Sequence, residues 1–60
     1  MGERGLETWL REAINIMNEE EPEIARIDSF EDAMILTNNR GLVLKTHNGE
    51  GFQITIIQTR

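Results

Sequence analysis

The side chains best suited to catalysis are one histidine and a few hydroxyl residues, and none has a recognisable partner. His47 is the only histidine among the 60 residues. Its expected neighbours on a sheet, Lys45 and Gln53, do not form an acid–base pair with it. Ser29 has no visible activating base, and we expect it to cap a turn. The sequence therefore predicts a non-enzymatic protein.

The sequence also contains no convincing site for a cofactor or a metal ion. Gly49 and Gly51 do not form a phosphate-binding loop, because no helix begins after them and no lysine follows. The chain has no cysteine and only one histidine, which leaves too few ligands for a zinc site. We therefore predict no cofactor and no metal.

An acidic segment surrounds the only proline, Pro22. Its carboxylates belong to Glu19, Glu20, Glu21 and Glu23. A run of like charges is most often a solvated hinge, which is our first interpretation. The alternative is a surface that binds a basic patch on a partner. In that case the chain is an acidic inhibitor, of the kind found in phages and mobile elements, that blocks a partner's basic nucleic-acid-binding surface.

Length and composition restrict the remaining possibilities. Sixty residues predict one domain, residues 1–60, which buries only about 60% of its unfolded surface. Without disulfides or metal, self-association is the simplest additional support, so we expect a homodimer or another protein partner. A net charge of −5 argues against direct nucleic-acid binding. No apolar run is long enough to span a membrane, and the lack of cysteine fits a cytoplasmic location.

The N-terminal segment has the pattern of an amphipathic helix, which we place at residues 4–19. Its apolar residues recur at helical spacing, with only Ile16 outside the stripe. The stripe consists of Leu6, Trp9, Leu10, Ala13, Ile14 and Met17. Pro22 disfavours helical geometry at Glu21 and so marks the end of the helix.

Two matched segments, residues 38–42 and 48–52, read Asn-x-x-Gly-apolar and predict hairpin turns. Residues 33–60 are therefore expected to form a three-stranded antiparallel meander. Three-residue loops at 39–41 and 49–51 place apolar residues opposite each other, with Gly51 in the left-handed conformation. Residues 24–30 are ambiguous: we favour a short extended segment and then a turn, and a fourth strand remains possible.

The predicted fold class is α+β, with the N-terminal amphipathic helix on one face of a three-stranded, possibly four-stranded, antiparallel β-meander. Even-numbered residues of the meander should face the helix. The expected core pairs one group on the helix, Trp9, Leu10, Ile14 and Met17, with another on the sheet, Leu36, Leu44, Ile54 and Ile56. Phe30 and Ile27 are expected to close one end.

The second face of the predicted sheet carries the candidate interface. One helix covers one face, so apolar residues at odd positions would remain in water. The residues that we assign to this interface are Ile35, Val43, Gln53, Thr55 and Ile57. The last strand is also long and uncharged, and such an edge favours the addition of another strand. We therefore predict a small protein–protein interaction domain that self-associates or serves as an accessory subunit.

Overall fold

A computed structural model describes all residues from Met1 to Arg60. Helix α1 (Gly2–Glu20) is followed by three strands, β1 (Ile24–Ser29), β2 (Arg40–Thr46) and β3 (Gly51–Ile56). The strands form one antiparallel sheet in the order β1-β2-β3. The prediction of an α+β fold, with an N-terminal helix on a three-stranded antiparallel sheet, is confirmed.

The first strand differs from the predicted one. The segment from 24 to 29 forms β1, whereas the region around Met34 and Leu36 is a turn followed by irregular chain. Leu36 is 99% exposed and is not part of the core. Strand β1 already pairs with the side of β2 that does not pair with β3, so no position beside β2 remains for a strand at 33–38. The expected loop at 39–41 is therefore also wrong, and Gly41 lies within β2.

The predicted turn after β1 is present, and Ser29 caps it. The Ser29 hydroxyl accepts a hydrogen bond of 3.0 Å from the backbone N–H of Asp32. The turn ends with Met34 in the left-handed conformation, at φ 61°. The N–H groups of Met34 and Ile35 bond back to the carbonyls of Glu31 and Phe30, which is the Schellman pattern usually closed by glycine.

The β2–β3 hairpin has the predicted type of loop, two residues earlier than expected. The loop is residues 47–49, and the residue with positive φ is Gly49, at 91°, whereas Gly51 belongs to β3. The N–H of Gly49 bonds to the carbonyl of Thr46, and the N–H of Thr46 bonds to the carbonyl of Glu50. The Thr46 hydroxyl also accepts a bond from the N–H of Glu50, which fixes the loop at this position.

This correction changes the strand pairing but not the two faces of the sheet. Leu44 lies opposite Phe52, and Ile56 lies opposite Arg40, whereas the predicted register placed Leu44 opposite Ile56. The pairing differs by four residues, an even number, so even-numbered side chains still share one face. The buried apolar residues are Phe30, Leu42, Leu44 and Ile56.

Helix α1 crosses the sheet diagonally. Near its N-terminus, Leu6 shares a recess with Ile56 and Ile57 at the end of β3. Near its C-terminus, the Asn18 side chain makes two hydrogen bonds, of 2.8 and 2.9 Å, with the backbone of Ile24 on β1. The helix therefore moves away from β3 along its length, and it leaves the corner of the sheet at Phe52 uncovered.

The helix is rotated relative to the expected packing. Leu10 and Ile14 are half-buried, but Trp9 and Met17 are 57% and 58% exposed, so their assignment to the core is wrong. The opposite flank of the helix faces β1 and the turn after it, where an Arg11 nitrogen lies 3.9 Å from an Asp32 oxygen. The apolar stripe is wider than the contact with the sheet, and its outer part lies in solvent.

Candidate interaction surface

Strand β3 forms one outer edge of the sheet and pairs only with β2. The bond from the N–H of Thr46 to Glu50 sets the alternation of the ladder. Even-numbered residues of β3 therefore bond to β2, while the N–H and C=O groups of Gln53 and Thr55 point outward. This edge can accept another strand without breaking any bond in the chain.

The two outer edges of the sheet differ in their protection against strand addition. On β1, the pairing shifts between Ile24 and Arg26, and the Arg26 guanidinium donates a 2.6 Å bond to the Asp28 carboxylate. Irregular pairing and charged side chains both discourage another strand from adding. Strand β3 has a regular register and contains neither charged residues nor proline. It is the unprotected edge.

Exposed apolar side chains are found on β3 and on helix α1. Phe52 lies on the helix face at the uncovered corner and is 51% exposed. Helix α1 contributes three exposed apolar side chains at helical spacing, and one of them, Met17, also lines a recess with Ile24 of β1. We call these four exposed residues the apolar corner, and they are Trp9, Ile16, Met17 and Phe52.

A shallow recess lies at the other end of the same edge. It has a volume of about 250 Å³. Its apolar lining consists of Met1, Leu6, Ile56 and Ile57. No residue of β1 or β2 lines it, so it belongs to the β3 side of the molecule. We call it the β3-end recess. The exposed aromatic ring of Phe52 and this recess thus lie at opposite ends of one strand.

The interface residues expected from the sequence are only partly brought together. Val43 lies opposite Gln53, and Thr55 follows on the same uncovered face of β3. Ile57 lies beyond the end of β3, and Ile35 is not in the sheet, so these two do not belong to that face. Ile35 instead lines a recess on the helix side together with Glu7. The interface itself stays a prediction.

Sequence reasoning missed the residues of the apolar corner. Ile16 was the available signal, because it widens the apolar arc of the helix beyond what one narrow contact can cover. Its exposed fraction is 65%. Trp9 fits the stripe equally well, so its position on the exposed margin is determined by the diagonal packing and cannot be read from the spacing.

The four residues of the acidic segment are all exposed. Glu19 and Glu20 end helix α1, whose last turn contains no basic residue. Glu21 and Glu23 continue into the connection to β1. None of the four forms an ion pair within the chain. They form a solvated, uncompensated negative surface at one end of the molecule.

The residues with possible catalytic chemistry are separated from each other. His47 is an exposed loop residue whose backbone N–H bonds to the carbonyl of Glu23. Ser29 is buried as a cap at the end of β1. No group of three or more His, Cys, Asp or Glu side chains is arranged to hold a metal ion. The structure brings no acid–base pair to these positions.

Comparison of the chain with protein-family models, with curated proteins and with solved structures gives no match. The chain has one helix, and α1 does not combine the length with the apolar character that crossing a membrane requires. The features of the chain that bear on its function are the β3 edge, the apolar corner and the β3-end recess.

Proposed function

We propose that this chain is a non-enzymatic protein–protein interaction domain that self-associates or serves as an accessory subunit in the cytoplasm. The observation that supports it is the uncharged, unpaired edge of β3, together with exposed Phe52 and Trp9 beside it. Strand addition supplies affinity through main-chain hydrogen bonds, and adjacent side chains supply specificity. Aromatic residues are enriched at the energetic centres of such interfaces.

The test is affinity capture with a tagged chain from its native lysate, run beside a light-scattering measurement on the purified chain. The edge variant is Gln53→Lys with Thr55→Lys, because both side chains are exposed and charge protects an edge strand. The matched control is Ala25→Lys, an exposed position on β1. We expect binding, to itself or to a partner, that persists in the control and is lost in the edge variant. Binding that survives the edge variant would refute the proposal.

The second candidate is an acidic inhibitor that occupies a basic, nucleic-acid-binding surface of another protein. The four exposed and unpaired carboxylates of the acidic segment support it. Association of this kind should weaken steeply with salt, because exposed charges are screened over about 10 Å at 0.1 M ionic strength.

Charge reversal distinguishes the second candidate from the first. The variant replaces Glu19, Glu20, Glu21 and Glu23 by lysine. If the acidic segment is the binding surface, this variant loses both the partner and the salt dependence. If captured partners remain bound with the same salt dependence, the inhibitor function is excluded.

A further inference from the structure

We infer that the occupant of the β3 edge is a second copy of this chain, paired antiparallel about a two-fold axis at Ile54 to form a six-stranded sheet. This inference rests on the proposed function and specifies its partner. A two-fold interface uses the same patch on both copies and must be complementary to itself. The β3 edge meets this requirement in its backbone, its side chains and its charge.

The backbone of β3 supplies the pairing. With Ile54 on the axis, Gln53 of one copy lies opposite Thr55 of the other, and the outward N–H and C=O groups of these residues bond to each other. Ile54 then faces its own counterpart, and Phe52 lies opposite Ile56. All even-numbered side chains remain on the helix face, so the two apolar faces become continuous.

The side chains of the two copies are complementary in shape, because a projecting ring on one copy meets a recess on the other. Phe52 is 51% exposed at the uncovered corner, and Ile56 lines the β3-end recess together with Leu6. Because the two-fold register places Phe52 directly across from Ile56, the Phe52 ring of each copy lies at the recess of the other. This contact is made twice, and it covers the corner that helix α1 leaves open.

The chain exposes more surface than a folded monomer of its mass usually does, by an amount close to the size of a standard interface. Its accessible surface is 4761 Å² for a mass of 6.9 kDa. The scaling for folded monomers gives roughly 4,000 Å² at this mass. The excess, about 760 Å², is close to the roughly 800 Å² per partner that a standard interface buries.

The distribution of charge also permits two copies to associate. The net charge of −5 would oppose dimerisation if it lay near the axis. The acidic segment instead follows the end of helix α1 that Asn18 anchors to Ile24 on β1. In the proposed dimer the two acidic segments therefore lie near the starts of the two outermost strands, while the paired β3 strands carry no charge.

Cross-linking tests both the association and its register. The chain has no cysteine, so Gln53→Cys and Thr55→Cys each introduce a single thiol, on the face of the sheet that helix α1 does not cover. In the proposed register residue 53 lies beside residue 55 of the other copy, about 5.5 Å apart between Cα atoms, which suits a disulfide. We expect a mixture of the two variants to form a cross-linked dimer under mild oxidation at least 10-fold faster than either variant alone.

Sedimentation of the unmodified chain and of Phe52→Ala completes the test. We expect the unmodified chain to sediment at twice 6.9 kDa at about 100 μM, and Phe52→Ala to raise the dissociation constant about 10- to 100-fold. The control is Leu36→Ala, which removes an apolar side chain that is 99% exposed and lies outside the β3 edge. It should leave the dissociation constant unchanged. Circular dichroism confirms that each variant is folded.

A chain that remains monomeric to about 1 mM, or a single-cysteine variant that cross-links best with itself, overturns the inference. So does a dimer that is insensitive to Phe52→Ala. If the purified chain is monomeric but a captured partner still requires the β3 edge, this inference fails and the proposed function stands.

Discussion

Replacing Gly41 by alanine should strongly destabilise the chain, although it adds only one methyl group. Gly41 is buried in β2, the central strand. A Cβ atom at this position would lie 2.5 Å from Cζ of the Phe30 ring and still closer to the carbonyl oxygen of Ile54. The Phe30 ring occupies the space of a side chain at residue 41, and the carbonyl belongs to the neighbouring strand.

The expected loss of stability depends on which neighbouring atoms can move to make room for the added methyl group. Phe30 is 4% exposed and one of only four buried apolar residues, so displacing its ring disturbs a large part of the core. Overpacking of this kind costs about 1–3 kcal/mol, and the nearby backbone carbonyl places Gly41→Ala at the upper end. A chain of 60 residues has about 3–9 kcal/mol of total stability. Each kcal/mol of lost stability lowers the melting temperature of a domain of this size by about 4–8 °C, so the melting temperature should fall by roughly 10–20 °C.

Gly51→Ala is the matched control for this substitution. A Cβ atom at Gly51 would meet nothing closer than the Leu44 carbonyl oxygen, at 4.0 Å. Alanine should therefore be neutral there, or stabilising by about 0.5 kcal/mol through the entropy of the unfolded chain. Thermal and urea unfolding of both variants measure the difference. Equal melting temperatures for Gly41→Ala and Gly51→Ala would refute the packing argument, and a partial rescue of Gly41→Ala by Phe30→Leu would support it.

Three further substitutions test the turns and the anchor of the helix. Gly49→Val should cost about 1–3 kcal/mol, because φ is 91° at this position; urea denaturation measures it, and a neutral result would contradict the loop at 47–49. Met34→Gly should stabilise by up to about 1 kcal/mol in the same assay, because Met34 has φ 61° and its side chain is 81% exposed. Asn18→Ala should cost about 1–3 kcal/mol by leaving Ile24 without its side-chain partner, whereas exposed Asn15→Ala should cost under 0.5 kcal/mol. Equal losses for the two asparagines would show that the anchor contributes nothing.

The faces of the hairpin could be predicted from the sequence, but the position of its loop could not. Gly49 and Gly51 are two residues apart, and a three-residue loop ending at either glycine keeps even-numbered side chains on one face. Alternation of apolar residues therefore does not distinguish the two registers. The deciding contacts are made by Thr46, whose hydroxyl accepts the N–H of Glu50, and a sequence pattern does not reveal this bond.

The identity of the first strand depends on a competition between two short segments. Residues 24–29 and residues 33–38 both contain several apolar side chains, and only one of the two segments can pair with the free side of β2. The contacts that favour β1 are not local: Asn18 holds Ile24 beside the helix, and Phe30 packs against Gly41. Local spacing identifies both segments as able to form a strand, but it does not identify the one that pairs.

The position of Trp9 follows from the relative dimensions of the helix and the sheet. A helix of 19 residues is about 28 Å long, whereas three strands span roughly 10 Å between the axes of the outer two. A helix of this length cannot lie across so narrow a sheet, so it crosses diagonally, and part of its apolar stripe extends beyond β3. A sheet of six strands would be about 24 Å wide between its outer axes. It would extend beneath the flank that carries Trp9, whereas the three strands of one copy leave this residue in solvent.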